Sequence, residues 1–215
     1  MLKKQKRAQT NASIRAKHFY KRRGFIQAKR NLKSKLKKYI ILLRGINVSG
    51  KNKIPMADLR DLLKNLQFQS VQTYIQSGNI ILESDKSKTA ICEIIKEGIL
   101  SKFGFEIPVI VRTIPEWQKA IEKYPFSTEN EKIVAFTFLD RASEIKEIEI
   151  KNIGEDQYKI NGDVVYLNCP STFAKTKISN NVLEKKLQVI ATTRNLRTTL
   201  KLLELSNSRL SKGKE

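Results

Sequence analysis

The sequence predicts an α+β fold of two ferredoxin-like (α-β plait) units with mainly antiparallel sheets. The first half has the pattern strand, helix, strand, strand, helix, strand, and the second half is similar in size. Only the short turn Ser77-Gly78 separates the two middle strands. A parallel sheet would need a crossover of about a dozen residues or more between them. The βαββαβ order is that of the ferredoxin-like arrangement.

Hydrophobic periodicity justifies each element of the first half. Residues 39–43 form a continuous apolar run, which is typical of a buried strand. After a glycine-rich loop, Pro55 suits the first position of a helix whose apolar residues recur at helical spacing. The other predicted elements are a hairpin with strands at 71–76 and 79–83, a helix starting near Ser87 or Thr89 and ending at Gly104, and a strand at 107–111.

The second half is less regular, and no sequence repeat between the halves is evident. Asn161-Gly162-Asp163 is a hairpin signal between two short strands. Cap residues at 179–181 and 192–195 precede two final helices. The remaining predictions are a helix at 115–124, a strand at 133–139 and a charged helix at 142–152.

The net charge of +21 is concentrated at the N-terminus, where residues 1–38 hold 15 Lys and Arg and no Asp or Glu. We predict a basic, disordered extension at 1–38, a first α+β unit at 39–113, a second at 114–205 and a flexible tail at 206–215. Such an extension binds polyanions by counterion release, without sequence selectivity. A solvated extension with no partner is the alternative.

Composition argues against several classes of protein. No apolar run approaches the ~20 residues of a membrane span, and the N-terminus lacks the apolar centre of a secretory signal. We therefore expect a cytoplasmic protein without a membrane partner. The single histidine, His18, lies in the basic extension, and Cys92 and Cys169 are far apart. The folded body should thus hold no metal site and no nucleophile paired with histidine.

The loop from Arg44 to Asn52 is the main candidate for a functional site. Its G-x-x-x-x-G-K spacing is that of a P-loop, but Asn52 stands where Ser or Thr would ligate magnesium. Asp140, at the end of an apolar strand, would be the acidic partner in such a site. The antiparallel hairpin and the late helix start argue against NTP hydrolysis. Main-chain donors freed by Gly45 and Gly50 can hold a phosphate without that apparatus.

We accordingly predict an anion site with Arg44 as planar clamp and Lys51 as point charge. The alternative is that the glycines and asparagines of the loop only close a turn. If three loops converge, Arg194 adds a third cation. The predicted anion-binding residues are Arg44, Gly45, Asn47, Gly50, Lys51, Asn52 and Arg194, and the supporting residues are Gln76, Ser77, Asn79, Thr193 and Asn195.

Three motifs carry a family resemblance: Arg44–Val48 continued by Lys51–Met56, then Tyr74–Asn79, then Thr193–Asn195. In this order, over about residues 39–205, they resemble the bacterial family called domain of unknown function 1697. The resemblance implies two ferredoxin-like or α-β-plait halves. It implies no established activity, cofactor or catalytic residue.

Two functional hypotheses follow from these observations. The first is a phosphate- or anion-binding module for a nucleotide or nucleic acid, which uses the loop at 44–52. The second is a small enzyme that acts on a phosphorylated or nucleotide-like metabolite. The sequence indicates neither a cofactor nor an oligomeric state.

Overall fold

The computed structural model describes residues 36–48 and 50–208. Within these ranges it contains five α-helices, one short 3-10 helix and eight strands in two four-stranded sheets. Neighbouring strands pair antiparallel throughout, so the predicted α+β class is confirmed. Residues 1–35 of the predicted basic extension lie outside the described residues, as do residue 49 and residues 209–215.

The elements have the following bounds. The strands are β1 (Lys37–Leu43), β2 (Gln69–Tyr74), β3 (Asn79–Ser84), β4 (Val109–Thr113), β5 (Val134–Leu139), β6 (Gln157–Asn161), β7 (Val164–Asn168) and β8 (Ala191–Asn195). The helices are α1 (Met56–Asn65), α2 (Lys88–Phe103), α3 (Ile114–Glu122), α4 (Asn180–Leu187) and α5 (Leu196–Asn207), with a 3-10 turn at Glu131–Ile133.

The first unit has the strand order β2-β3-β1-β4. Its central strand β1 is apolar on both faces because both faces are covered: Ile41 and Leu43 pack under α1 and α2, whereas Ile40 and Leu42 face the second unit. The turn between β2 and β3 spans four residues, 75–78, and not the two that the sequence predicts. Pro55 is the N-cap of α1, one residue before the predicted position.

The second unit repeats this strand order as β6-β7-β5-β8, with every residue of β5 buried. The helix predicted at 142–152 is wrong, because that stretch is irregular. Ile148 and Ile150 pack as irregular chain on the core beneath α4, and the Tyr158 hydroxyl donates to the Ile148 carbonyl. β-Branched isoleucines carry low helix propensity, and a tertiary contact can outweigh the weak preference that remains.

A shared core joins the two units. Each unit ends in a helix that follows its edge strand directly: α3 is capped by Thr113 at the end of β4, and α5 by Asn195 at the end of β8. The indole N–H of Trp117 on α3 donates to the Thr199 carbonyl on α5 over 3.0 Å. The Trp117 ring stacks on Phe138, with centroids 4.2 Å apart. The helices α3 and α5 thus fill the space between the sheets.

Two buried arginines mark this arrangement as a structural repeat. Arg112 lies opposite Ile40 in the first sheet, and Arg194 lies opposite Phe136 in the second. Each guanidinium crosses to the other unit and donates to the last carbonyl of its central strand, Leu139 for Arg112 and Leu43 for Arg194. The repeat is therefore visible in register and contacts.

The ordered elements extend past the predicted unit boundaries. Lys37 and Lys38 begin β1, and Ser206 and Asn207 complete α5, with Ser206 only 2% exposed. Residues 206 and 207, which the sequence assigns to the flexible tail, thus belong to α5. No helix in the described part of the chain is long and apolar enough to cross a membrane.

Candidate functional site

The glycine loop is a compact turn closed by its own polar groups. The Lys51 amide donates to the Val48 carbonyl over 2.9 Å, and the Asn47 amide to the Asn52 carbonyl over 3.2 Å. The Asn52 side-chain amide donates to the Gly45 carbonyl over 3.0 Å. Gly45 has a φ of 74° and the next glycine of the loop one of 75°, which serves the turn. The amides of Asn47 and Lys51 are thus not open donors for a phosphate.

Asn47 ties this loop to its neighbours. Its side chain accepts from the Ile54 amide over 2.9 Å and donates to the Ile54 carbonyl over 3.0 Å. It also donates to the Gln76 carbonyl over 2.9 Å, in the turn between β2 and β3. The loops at 44–52 and 76–79, whose convergence the sequence leaves open, therefore meet, and Asn47 joins them through structural hydrogen bonds.

Arg194 brings in the third predicted loop, but it does so from inside the protein. Its side chain donates to the carbonyls of Ser77 (2.9 Å) and Leu43 (3.2 Å) and to the Asn79 side-chain oxygen. It also donates to Thr192 Oγ1 over 2.7 Å. Burial, and after it the charge of Arg44, lowers the pKa of Arg194 to about 10, so the group stays charged at neutral pH. The predicted third cation is a structural bridge.

Arg44 is likewise engaged with the protein. Its guanidinium forms an ion pair with Glu184 of α4 at 3.1 Å and donates to Asn181 Oδ1 over 2.7 Å. The same carboxylate accepts from the Ala191 amide. The predicted planar clamp therefore holds α4 against the start of the glycine loop, with its Nε and Nη2 donors engaged by the protein.

The supporting residues also have local partners. Asn79 donates to the Tyr74 carbonyl and to Ser77 Oγ, and it closes the turn between β2 and β3. Thr193 Oγ1 contacts Asn180 Oδ1 at 2.6 Å, and Asn195 caps α5 by accepting from the Thr198 amide. These groups position the loops and present no shared binding surface.

A cleft of about 530 Å³ opens on the other side of the glycine loop. Its walls are the loop, the start of α1 and the turn before β3. The residues that line it are Asn47, Gly50, Lys53, Ile54, Pro55, Met56, Ala57 and Gln76. Asn47, Gly50 and Gln76 belong to the predicted set, whereas Lys53 and the helix start do not.

The start of α1 differs from that of every other described α-helix. Four α-helices have a side chain that caps the first turn, whereas α1 has Pro55 at this position and no side-chain cap. The first amides of α1, on Met56 and Ala57, have no intrahelical acceptor. The partial positive charge of a helix N-terminus therefore lies at the cleft wall.

Charge and exposed apolar surface distinguish the cleft further. Lys51, beside it, and Lys53, in its wall, are exposed and have no ion-pair partner among the described residues. Val48 and Ile75, the neighbours of lining residues, are 58% and 50% exposed. Ile75 also has a φ of 49°, which is rare for a β-branched residue. Such strain collects where a site has to be held in place.

The P-loop alternative receives no support from the geometry. β1 pairs antiparallel with both β3 and β4, and α1 begins five residues after Lys51. Asp140 accepts from the Ile190 amide over 2.9 Å and pairs with Arg141. No three His, Cys, Asp or Glu residues in the described ranges are grouped as a metal site. Burial raises the pKa of the Cys169 thiol to about 11, so this thiol stays protonated.

The sequence prediction does not include the partners of Arg44 and Arg194 or the uncapped start of α1. Glu184 and Asn181 lie far from Arg44 in sequence, so no local signal identifies them. One signal was available: Arg112-Thr113 and Arg194-Asn195 are both an arginine followed by a cap residue at the end of a strand. Pro55, with no Ser, Thr, Asp or Asn at the cap position, also indicates an uncapped start.

The protein is thus an α+β protein of two ferredoxin-like units, in which the loops at 44–52 and 76–79 meet beside the uncapped start of α1. A family model described as "Protein of unknown function (DUF1697)" matches residues 36–166, and the chain belongs to this family. The motifs at 44–56 and 74–79 lie within the match, and the motif at 193–195 lies outside it.

A solved structure has the same fold. It is a conserved bacterial protein from Streptococcus pneumoniae with 24% sequence identity and a TM-score of 0.64, and the match covers 80% of this chain and 99% of that one. Comparison with curated proteins gave no match. At this identity the likeness concerns the fold alone.

Proposed function

We propose that the protein is a cytoplasmic anion-binding module that holds the phosphate of a nucleotide, free or in a nucleic acid, in the cleft beside α1. The observation that carries the proposal is the uncapped start of α1 in the wall of that cleft, next to the unpaired Lys53. Oriented N–H groups and a nearby lysine are what a phosphate prefers. Gly50 and Asn47 of the glycine loop form part of the cleft wall, and neither Arg44 nor Arg194 takes part in the proposed binding.

Size and surface favour a nucleotide over a bare ion. The cleft of about 530 Å³ falls within the range of small-molecule sites, about 300 to 1,000 Å³. Val48 and Ile75 provide apolar surface near it, against which a base or sugar can pack while the phosphate lies at the helix start. The alternative hypothesis, a small enzyme, has no observation in its favour beyond the same cleft.

Calorimetric titration with adenosine monophosphate, inorganic phosphate and adenosine tests the proposal. Lys53→Gln removes the wall charge and should weaken adenosine monophosphate binding by about three- to tenfold, the effect of one partly exposed charged contact. Pro55→Asp places a carboxylate cap on the same amides and should weaken binding at least as much while it stabilises α1.

Lys64→Gln is the matched control. It removes an equal charge from the far end of α1, where Lys64 and Asp61 are both more than 60% exposed. It should leave binding unchanged. If Lys53→Gln and Pro55→Asp both bind like the wild type, or if adenosine binds as tightly as its monophosphate, the proposed site is wrong.

The basic extension complicates any experiment with nucleic acid, because the 13 Lys and Arg of residues 1–35 are expected to bind polyanions by themselves. A protein that starts at Leu36 keeps the whole of β1. Binding of a short oligonucleotide that persists in this shortened protein, and that adenosine monophosphate displaces, supports a site in the cleft. Binding that disappears with residues 1–35 assigns nucleic-acid affinity to the extension alone.

A further inference from the structure

A second cleft lies between α3 and the hairpin of β6 and β7. It has a volume of about 230 Å³. One wall is α3 with Glu116, Lys119 and Ala120, continued by Lys123, and the other is the hairpin turn at 161–163. Val164 and Tyr166 of β7 complete the lining. None of these residues belongs to the predicted site or to the cleft beside α1.

Tyr166 is a buried residue whose hydroxyl has no hydrogen-bond partner among the described residues. The residue is only 2% exposed, and its ring packs edge-on against Phe136 and Tyr124, both with centroids 5.9 Å away. In the described part of the chain, Asn168 Oδ1 is the one buried side-chain oxygen or nitrogen that lacks a hydrogen bond. The Tyr166 hydroxyl, which also has no protein partner there, is therefore not sealed in the core and opens to the cleft that the residue lines.

The charges around this cleft leave a net positive excess. Glu116 is bound by Lys88, and Asp163 is paired with the buried Arg112 at 3.1 Å. Lys119 and Lys123 have no ion-pair partner within the described ranges. Both carboxylates in the lining are thus neutralised by other cations, whereas the two lysines are not.

The structural repeat supplies an internal comparison. Counted from the cap residue of each helix, Ala120 of α3 corresponds to Leu202 of α5, which is fully buried. By the strand register, Tyr166 corresponds to Ile81. At the corresponding place between α5 and the hairpin of β2 and β3, two apolar side chains, Leu202 and Ile81, therefore fill the positions at which this cleft has a small residue and a hydroxyl.

The corresponding lysines also differ, because Lys119 has no ion-pair partner among the described residues and its counterpart has one. Lys119 corresponds to Lys201, which forms an ion pair with Glu204 at 2.6 Å. Among the described residues, the cleft between α3 and the hairpin of β6 and β7 thus has a free cation, open space and an unpaired donor at positions where the α5 counterpart has none of them. One chance substitution would not change all three together.

We propose that this cleft is a second binding site, which takes the phosphate group of a small ligand through the Tyr166 hydroxyl and the ammonium groups of Lys119 and Lys123. Two unpaired positive charges match the charge of about −2 on a phosphate group, whereas a carboxylate carries only one. The volume lies below the about 300 Å³ at which drug-sized sites begin, so the site suits an ion or a compact phosphomonoester and not a whole nucleotide. The Tyr166 hydroxyl is a donor here: burial, and after it Asp163, raises its pKa to about 12.

The test is an amide NMR titration of the full chain with inorganic phosphate and with glycerol 3-phosphate, against chloride at matched ionic strength. The amide signals of Asn161, Gly162 and Asp163 should shift with phosphate and not with chloride. Comparison of the dissociation constants of the two probes shows whether free phosphate or a phosphomonoester is the better ligand. The signals of Met56 and Ala57 report the cleft beside α1 separately, so failure at one site leaves the other unaffected.

Three variants connect the shifts to the proposed contacts. Tyr166→Phe keeps the buried ring and should raise the dissociation constant about tenfold, the effect of one hydrogen bond to a charged group. Lys119→Gln changes an exposed side chain that the fold does not need, and it should raise the constant about threefold or more. Lys201→Gln, at the corresponding position of α5, should leave it unchanged.

The proposal is overturned if phosphate leaves the signals of 161–163 unmoved at tens of millimolar. It is also overturned if Lys119→Gln and Tyr166→Phe both bind like the wild type. If Tyr166→Phe proves unstable, the comparison between Lys119→Gln and Lys201→Gln decides by itself.

Discussion

Replacing Arg194 by methionine separates a structural arginine from an anion ligand. The guanidinium donates to three oxygen atoms of the first unit, on Leu43, Ser77 and Asn79, and to two further oxygen atoms of its own strand β8. Methionine has similar length and fills the space, but it donates no hydrogen bond. The main effect of the substitution should therefore be loss of hydrogen bonds and not a cavity.

The size of the effect follows from the oxygen atoms left without a donor. A buried polar group that loses its partner costs about 1–3 kcal/mol. Leu43, Ser77 and Asn79 each lose a donor, and relaxation or water entry reduces the sum, so we expect destabilisation of about 3–5 kcal/mol. Arg194→Lys should recover less than half of this, because an ammonium cannot reproduce the planar fork.

Urea unfolding, followed by the fluorescence of the buried Trp117, measures this effect. Arg197→Met is the control, since Arg197 is exposed on α5, and it should change the free energy of unfolding by less than about 0.5 kcal/mol. If Arg194→Met stays within 1 kcal/mol of the wild type, the bridge contributes little. Arg194 would then be available for a ligand, as the sequence predicts.

Two further predictions concern the turn before β3 and the contact of Asp156, just before β6, with the loop after β7. Gly78→Ala should lower the free energy of unfolding by about 2–4 kcal/mol, because a Cβ at this φ of 78° would lie 2.7 Å from Leu43 Cβ. Gly104→Ala is the control: its φ is 76° but the space around it is open, so it should cost about 1 kcal/mol. Equal losses for the two variants in urea unfolding would refute the steric argument. Burial favours a raised pKa for Asp156, but bonds from Ser171 and other groups outweigh it and hold the pKa below 3.8. The stabilisation that the ionised Asp156 contributes is therefore present above about pH 4 and lost as the pH falls through its folded-state pKa. The free energy of unfolding, measured between pH 2 and 7, should depend less on pH in Asp156→Asn than in the wild type. The same pH dependence in both proteins would contradict this.

The sequence predicts the elements whose local signals agree with their tertiary setting. The apolar run of β1 is buried on both faces, and Ser87, Ser179 and Asn195 cap helices near the predicted starts. The segment at 142–152 fails because its charged, isoleucine-containing pattern fits a surface helix as well as an irregular segment held on a core. Only the contact with the hydrophobic core beneath α4 decides between them.

The site is predicted less well, for a physical reason. Loop glycines, asparagines and arginines mark positions where the backbone or a charge needs a particular partner. They do not indicate whether the loops converge, which only the structure shows. Whether Arg44 faces solvent or Glu184 depends on how α4 packs, which no local pattern encodes. The uncapped helix start and Lys53 were readable from the sequence, but they became a candidate site only once the cleft was visible.

The most direct test of the account is the change in amide chemical shifts of Met56 and Ala57 as adenosine monophosphate is added to the full chain. The account predicts saturable shifts at these two amides, with smaller shifts at Gly50 and Lys53, and loss of the response in Pro55→Asp. It is contradicted if these signals stay still while others move, or if the response survives a carboxylate cap on α1.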